Sequence, residues 1–387
     1  MKKLIRITTV PLSLEKLLEN QGQYFKAFYD ITFISSNPAQ LKQTAEKQGV
    51  SYFPLEMTRK ITPLQDLRCL IQLYHFLRKE KPLIVHTHTP KAGIVGMLAA
   101  RLAGIPIRLH TIAGLPLMET KGLKRWLLIL VERITYFCAT KVYPNAEGLL
   151  KFVIENRLAP RKKLKVIGKG SSNGIDTSYF SKGQVEETKV SVLRESLKIK
   201  SSDFIFCFVG RLVGDKGVNE LVHAFCEVQN EIPEAKLLLV GPYETDLDPL
   251  EKITQKRINT NPNIITTGFQ ADIRPYLVLS DTFVFPSYRE GFPNVVLQAI
   301  AMEVPCIVSD INGCNEIIRE GETGAIVPPK QTQPLVDKMV LFYHEKKGVQ
   351  KFIDQAKSEV ATNYDRPQFW KSLLEEYKYQ EQYVSRY

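Results

Sequence analysis

Three groups of residues in this 387-residue chain have the types and spacing for chemistry on a hydroxylated, anionic ligand. The first is Pro286 to Pro305, P-S-Y-R-E-G-F-P-N-V-V-L-Q-A-I-A-M-E-V-P, where an apolar run ends in a loop holding Glu290, Gly291, Phe292 and Pro293 and a helix begins near Asn294. A carboxylate can order sugar-type hydroxyls, a glycine lets backbone approach a ligand, and a capping Asn ahead of a helix attracts negative charge. Gln298, four residues past Asn294, shares its helix face one turn on. An ordinary strand–loop–helix unit with an exposed acidic turn has the same pattern, so the stretch needs a partner. The second group, Gly210-Arg211-Leu212-Val213-Gly214-Asp215-Lys216-Gly217, supplies one. An apolar strand (Phe204 to Val209) runs into this glycine loop with its two cations, and a helical pattern follows from Val218 to Val228. That is the physics of anion capture, although the spacings match neither a P-loop nor a dinucleotide-binding glycine loop.

The third group is a set of histidines. His86 and His88 end one strand and are followed by Thr89, Pro90 and Lys91; His110 ends the next strand, Ile107 to Thr111. In open α/β sheets ligands bind outside the carboxyl ends of strands, and alternate residues face one side, so His86 and His88 can converge. They lack a third ligand at suitable spacing for a metal, and ordinary hydrogen-bonded histidines fit the pattern as well.

The elements that must position these residues alternate from the first residue on. Leu4–Thr8, Ile31–Ser35, Ser51–Leu55, Leu164–Gly168, Lys236–Val240, Ile264–Thr267, Thr282–Phe285 and Cys306–Ser309 read as further strands. Helical periodicity covers Pro63–Glu80, with Thr62 as its cap, and a small-residue helix covers Ala92–Ala103. The alternation predicts an α/β protein with parallel sheets built from βαβ units, and the length predicts two domains. The turn-rich Gly170–Asp176 and the polar Ser181–Ser202 place the boundary so that 1–185 and 186–365 form the domains. A final helix in 366–387 is long enough to reach back to the first.

Charge is unevenly placed. Residues 1–180 carry 28 Lys and Arg against 12 Asp and Glu, and the remainder 24 against 29. A strongly basic half suggests nucleic acid, an anionic membrane surface or a phosphorylated ligand. No aromatic–basic recognition module is present, so nucleic acid is not the expected partner. Lys121, Lys124 and Arg125 lead into Trp126 and the run to Val131; either an interfacial helix meeting anionic head groups or a buried helix with a polar end fits. No run approaches the length of a membrane span, and the polar start is a first strand, not a signal peptide. The six cysteines lack C-x-x-C spacing and read as reduced thiols of a cytosolic protein.

Together, G-R-L-x-x-x-K-G, P-S-x-x-E-G-F-P, H-T-H-T-P-K-A-G, N-G-I-D-x-x-x-F (Asn173 to Phe180) and T-G-F (Thr267 to Phe269) resemble the retaining family-4 glycosyltransferases of GT-B fold, over nearly the whole chain. The resemblance implies two Rossmann-like domains facing each other across a cleft, the first for the acceptor and the second for the donor. It also implies transfer from a nucleotide sugar, a UDP-sugar such as a UDP-HexNAc, to a glycan or polyprenyl-diphosphate-linked acceptor. That work would be done without cofactor or metal, at the inner face of the cytoplasmic membrane, in surface polysaccharide synthesis. Arg211 and Lys216 would hold the diphosphate beside Gly210. Glu290 and the backbone of Gly291, Phe292 and Pro293 would hold the sugar, Asn294 and Val295 would face phosphate, and Thr267, Gly268 and Phe269 would line the base pocket. Gln298 stands where the family has a second glutamate for the ribose hydroxyls; an amide keeps the hydrogen bonding and loses its charge-assisted strength. Ala113 stands where many relatives have a histidine near the anomeric carbon, which leaves His110, with His86, His88 and Lys91 on the acceptor side, as candidates. Asp246-Leu247-Asp248 has a D-x-D form used for metals elsewhere, and a loop before Pro249 explains it more simply. A sugar-nucleotide epimerase of the same fold is the alternative enzyme.

Overall fold

The computed structural model describes residues 1–118, 120–244 and 248–384. The chain forms two compact units, Met1–Gly174 with the segment from Arg366 on, and Ile175–Asp365. The division falls within the turn-rich segment at Gly174, ahead of the boundary at 185 expected from the polar stretch that follows.

In the first unit β1 (Lys3–Ile7), β2 (Asp30–Ser35), β3 (Ser51–Pro54), β4 (Ile84–Thr87), β5 (Ile107–Ile112) and β6 (Lys141–Pro144) form one sheet in the order β3-β2-β1-β4-β5-β6. In the second, β7 (Phe204–Val209), β8 (Ala235–Val240), β9 (Ile264–Thr266), β10 (Thr282–Phe285), β11 (Cys306–Ser309) and β12 (Ala325–Val327) follow the order β12-β11-β10-β7-β8-β9. Every named strand pair is parallel. Buried on both faces, central strands such as F-I-F-C-F-V are apolar throughout, without alternation. Each sheet therefore reverses its winding once, between β1 and β4 and between β7 and β10. Loops leaving the carboxyl ends of those strands border the crevice where such sheets bind ligands.

Three strand assignments differ from the sequence reading, one of them Ala325–Val327, an edge strand of three residues and too short to show a period. Leu164–Gly168 contributes only an isolated bridge from Leu164 to Val142, where Lys165 N donates to Val142 O at 3.1 Å, and the chain leaves the extended conformation at a left-handed Gly168 (φ 58°). The sixth strand is instead Lys141–Pro144, four residues wedged between helices and too short to show a period. Thr62 does hold the N-cap position of Pro63–Glu80, but its hydroxyl donates to Asp66 Oδ1 at 3.0 Å and does not cap a backbone amide.

The helix Arg366–Val384 belongs to the first unit. Its Phe369, Leu373, Leu374 and Tyr377 are buried with Leu4, Phe25, Ile31 and Phe33 of that core. Burial at this scale stabilises by about 1.5–3 kcal/mol for each large side chain. Arg366 pairs with Glu19 at 2.9 Å, and Trp370 Nε1 donates to Asn173 Oδ1 at 2.7 Å. Among the described residues no helix is long and apolar enough to cross a membrane.

Candidate active site

The loops after β7 and β10 meet where the second sheet reverses. Tyr288 N donates to Asp215 O at 2.9 Å, and Arg289 pairs with Asp215 Oδ2 at 2.8 Å. Between these ties Lys216 Nζ forms an ion pair with Glu290 Oε1, each side chain only 16% exposed. Ser287 Oγ lies 3.1 Å from the same carboxylate oxygen, and Asn312 Nδ2, from the loop after β11, donates to Glu290 O at 2.7 Å. Lys216 and Glu290 are thus held in fixed positions, at low exposure, where a charge pair acts more strongly than in bulk water.

Gly217 makes the approach of the two loops possible. Its φ is +69°, and a Cβ there would sit 2.0 Å from Pro286 O, backbone against backbone. Only glycine meets both conditions at no steric cost.

Arg211, half exposed, pairs with Glu244 on the loop after β8. Thr267 at the end of β9 donates its N–H to Leu239 O at 3.1 Å, and Phe269 stands exposed beside it. The helix Asn294–Ala301 begins one residue earlier than a capping Asn294 requires. Pro293, extended at φ −82° and ψ 91°, holds the N-cap position, and Asn294 is the first helical residue. Gln298 is half-buried one turn further along the same helix. Gly210, Arg211, Lys216, Glu290, Gly291, Phe292, Pro293, Asn294, Val295 and Gln298 therefore all lie on elements that leave or follow the carboxyl ends of β7 and β10. Thr267 to Phe269 border the same edge two strands away. Of the D-x-D tripeptide, Asp246 and Leu247 lie outside the described residues; Asp248 Oδ2 accepts from Asp215 N at 2.5 Å and so belongs to the glycine loop.

Sequence reasoning missed Glu244, Ser287 and Asn312 as neighbours of these cations and carboxylates. It also missed Tyr288, whose hydroxyl donates to Glu220 Oε1 at 2.6 Å; burial first, and that carboxylate second, push its phenol up. All lie in or beside loops after strands, so the strand-end rule, applied to β8 and β11 as well as β7 and β10, reaches Glu244 and Asn312.

The histidines separate onto two faces of the first sheet. His86 and His88 share one face, their rings 4.0 Å apart. His110 points the other way, its Nδ1 2.7 Å from Thr87 Oγ1, under the helix Pro90–Leu102. A Cβ on Gly93 of that helix would lie 2.6 Å from the His110 ring. Packed between sheet and helix and 3% exposed, His110 has the setting of a structural histidine and stands on the face of the sheet opposite His86 and His88. Lys91 is likewise engaged elsewhere, in an ion pair with Asp66 of Pro63–Glu80.

Burial holds all three imidazoles neutral. His110 is pushed down to about 3; His86 and His88 lie well below the ordinary value, through burial first and neighbouring cationic groups second. Unfolded, each titrates near 6.5. Below that pH the unfolded chain binds more protons than the folded one, so stability is complete above about pH 7 and falls with acidification toward pH 3. The urea midpoint should drop between pH 7.5 and pH 5, and His110→Gln should flatten the dependence; a midpoint that rises on acidification contradicts the assignment.

Comparison with known proteins agrees with this architecture. The family model "Glycosyl transferases group 1" matches residues 190–359, and "Glycosyl transferase 4-like domain" matches residues 19–170. The chain is 32% identical over 373 residues to the capsular polysaccharide biosynthesis glycosyltransferase CapM of Staphylococcus aureus, covering 96% of both chains. It is 30% identical over 323 residues to the Escherichia coli UDP-Gal:alpha-D-GlcNAc-diphosphoundecaprenol alpha-1,3-galactosyltransferase, covering 81% of this chain and 79% of that one. Among solved structures, HepE of Anabaena in complex with UDP and glucose superposes with a TM-score of 0.81 at 17% identity, over 98% of this chain and 100% of its own. Two doubly wound parallel sheets, the paired loops at the second sheet's reversal and full-length similarity at this level lead to one assignment: the chain is a glycosyltransferase of GT-B fold and belongs to the glycosyl transferases group 1 family.

Proposed function

We propose that the enzyme moves a sugar from a UDP-sugar, such as a UDP-HexNAc, to a polyprenyl-diphosphate-linked saccharide in surface polysaccharide synthesis, with retention of configuration and without a metal. The observation that carries this reading is the Lys216–Glu290 pair, a cation beside a carboxylate, both largely shielded, at the sheet's reversal. Lys216 and Arg211 take the donor's diphosphate, and Glu290 orders the sugar hydroxyls next to it. Gln298, one turn into the helix behind, binds the ribose. As the bond from C1 to phosphate breaks, negative charge grows on the leaving diphosphate, and two preorganised cations with the amides at the start of Asn294–Ala301 stabilise it. Glu290, already paired with a cation, positions the sugar and is not the nucleophile; the acceptor attacks from the leaving group's face and the phosphate takes its proton. The E. coli relative's printed name includes UDP-Gal and a diphosphoundecaprenol acceptor, and the Anabaena neighbour was crystallised with UDP and glucose.

The test is a panel of UDP-sugars with and without a diphosphoundecaprenol-linked N-acetylglucosamine, followed by NMR. Release of UDP that requires the acceptor, with an α-linked product from an α-linked donor, is expected. Inversion overturns the retaining mechanism, and conversion of nucleotide sugar without acceptor identifies an epimerase.

The acceptor places the enzyme on the inner face of the cytoplasmic membrane as a peripheral protein. The helix Gly122–Cys138 supports this, because Leu123 is 89% and Trp126 65% exposed beside Lys121 and Lys124. An apolar stripe edged with lysines suits an anionic bilayer interface. Arg125 is tied to Leu117 O at 2.8 Å and is less available. Flotation with phosphatidylglycerol vesicles should recover the protein, and Trp126→Glu with Lys124→Glu should lower recovery at least tenfold. Absent binding, or binding indifferent to both changes, removes the membrane part.

A further inference from the structure

Under the helix Arg366–Val384 the first unit contains a cavity of about 10 Å³, lined on its polar side by His86, His88, Thr111, Asn145, Ser171 and Ser172. Two of its lining atoms, His88 Nε2 and Asn145 Oδ1, are buried and have no partner. His88 is 3% and Asn145 4% exposed, so open solvent does not serve them. An unsatisfied buried polar atom costs about 1–3 kcal/mol, which makes two in one cavity a pointer to something they bind.

A chain of hydrogen bonds settles what the cavity offers. Arg6, fully buried, donates from Nη2 to Tyr377 Oη at 3.0 Å; a guanidinium can only donate. Tyr377 Oη is 2.6 Å from His86 Nδ1, and His86 Nε2 is 2.8 Å from Thr111 Oγ1. Tyr377 must give its own proton to His86 Nδ1, since otherwise a fully buried phenol proton has no acceptor. The neutral imidazole then carries its hydrogen on Nε2 and donates to Thr111. Thr111 has spent an acceptor site and keeps its own proton, for which the described residues supply no acceptor. Asn145 commits its amide nitrogen to Ser172 Oγ at 3.2 Å, so its oxygen faces the cavity as an acceptor.

A donor at Thr111 and an acceptor at Asn145, with a neutral imidazole nitrogen beside them, ask for one oxygen that both accepts and donates. An anion would meet the Asn145 oxygen, and a cation would meet the Thr111 proton. The volume matches about one water-sized centre. We infer that this cavity is a binding site for a single hydroxyl oxygen, held by Thr111, Asn145 and His88 and oriented by the Arg6–Tyr377–His86 relay. The oxygen comes from a water or from a saccharide hydroxyl; the saccharide source rests on the transfer reading, and the oxygen site does not.

Crystals of the full chain, at a resolution that orders water, should show one oxygen within hydrogen-bond distance of Thr111 Oγ1, Asn145 Oδ1 and His88 Nε2. An empty cavity, or an ion in it, overturns the inference. In crystals soaked with N-acetylglucosamine, a sugar hydroxyl in place of the water assigns the site to a saccharide, and an undisturbed water assigns it to water. A urea-unfolding cycle on Thr111→Val and Asn145→Leu gives a second reading. If both hold one oxygen, the second substitution shifts the midpoint less than half as far in the background of the first, and Thr111→Ser keeps the wild-type midpoint. Additive shifts overturn the shared site. Neither measurement involves nucleotide sugar, so failure of the transfer reading would leave the result intact.

Discussion

Lys216→Ala should lower kcat/KM for the UDP-sugar by about a hundredfold or more, corresponding to loss of a preorganised charge contact worth about 3 kcal/mol in the barrier. Lys216 is the cation for which a large effect is expected because it is only 16% exposed and is held by Glu290, so little reorganisation remains when phosphate arrives. Its removal also leaves the Glu290 carboxylate without its cation close to an anionic ligand, which opposes donor binding as well as turnover. Arg211→Ala should have the smaller effect, about tenfold, because its guanidinium is half exposed and water screens it. Arg211 must also leave Glu244 before it can grip phosphate, so Glu244→Gln should tighten UDP binding measured by calorimetry. Circular dichroism of each variant should match the parent, since neither cation supports a core. Near-normal kcat/KM in Lys216→Ala would remove the diphosphate assignment, and unchanged kcat with a raised KM would mean that the lysine binds donor equally in ground and transition states.

The parts of this site legible in the sequence are those where chemistry coincides with local pattern. Arg211 and Lys216 stand out because a strand, a glycine loop and a helix follow one another within a few residues, and Glu290 stands out for the same reason. Their pairing does not, since Lys216 and Glu290 are 74 positions apart and meet only because β7 and β10 are neighbours in the sheet. The order of strands is a property of the whole unit, not of any window. The same limit explains His110. At the end of a strand, next to His86 in type and context, it looks like a ligand; Gly93 and Gly96, which let the helix Pro90–Leu102 sit directly on the sheet, bury it. Tyr377 is the opposite case. Nothing near it in sequence suggests a polar role, yet it links Arg6 and His86 from a helix 371 and 291 positions away. Fold class followed from the alternation of strands and helices, whereas Lys141–Pro144 escaped notice because four residues carry no period.

Gly217→Ala should be among the most disruptive single methyl additions in the second unit. A non-glycine residue at φ +69° costs of the order of 1 kcal/mol in backbone strain. The larger penalty is steric: the new Cβ would lie 2.0 Å from Pro286 O and 2.7 Å from its carbonyl carbon, so backbone, not a flexible side chain, has to move. Relief requires the glycine loop to separate from the Pro286–Pro293 loop, which breaks the Tyr288 N to Asp215 O bond and draws Lys216 away from Glu290. A total destabilisation of about 2–4 kcal/mol is expected, within the range for strain at a special backbone position combined with overpacking. In a unit of this size that corresponds to a fall in Tm of roughly 5–15 °C. Activity should fall further than stability explains: at a temperature where the variant is fully folded, kcat/KM should still be down at least tenfold, because Lys216 and Glu290 are displaced from each other. Differential scanning calorimetry and assays well below the lowered Tm separate the two effects. A variant with parental Tm and rate would mean that the two loops do not approach as closely as Gly217 and Pro286 indicate, and with that the clamp built from Lys216 and Glu290 would lose its geometric basis.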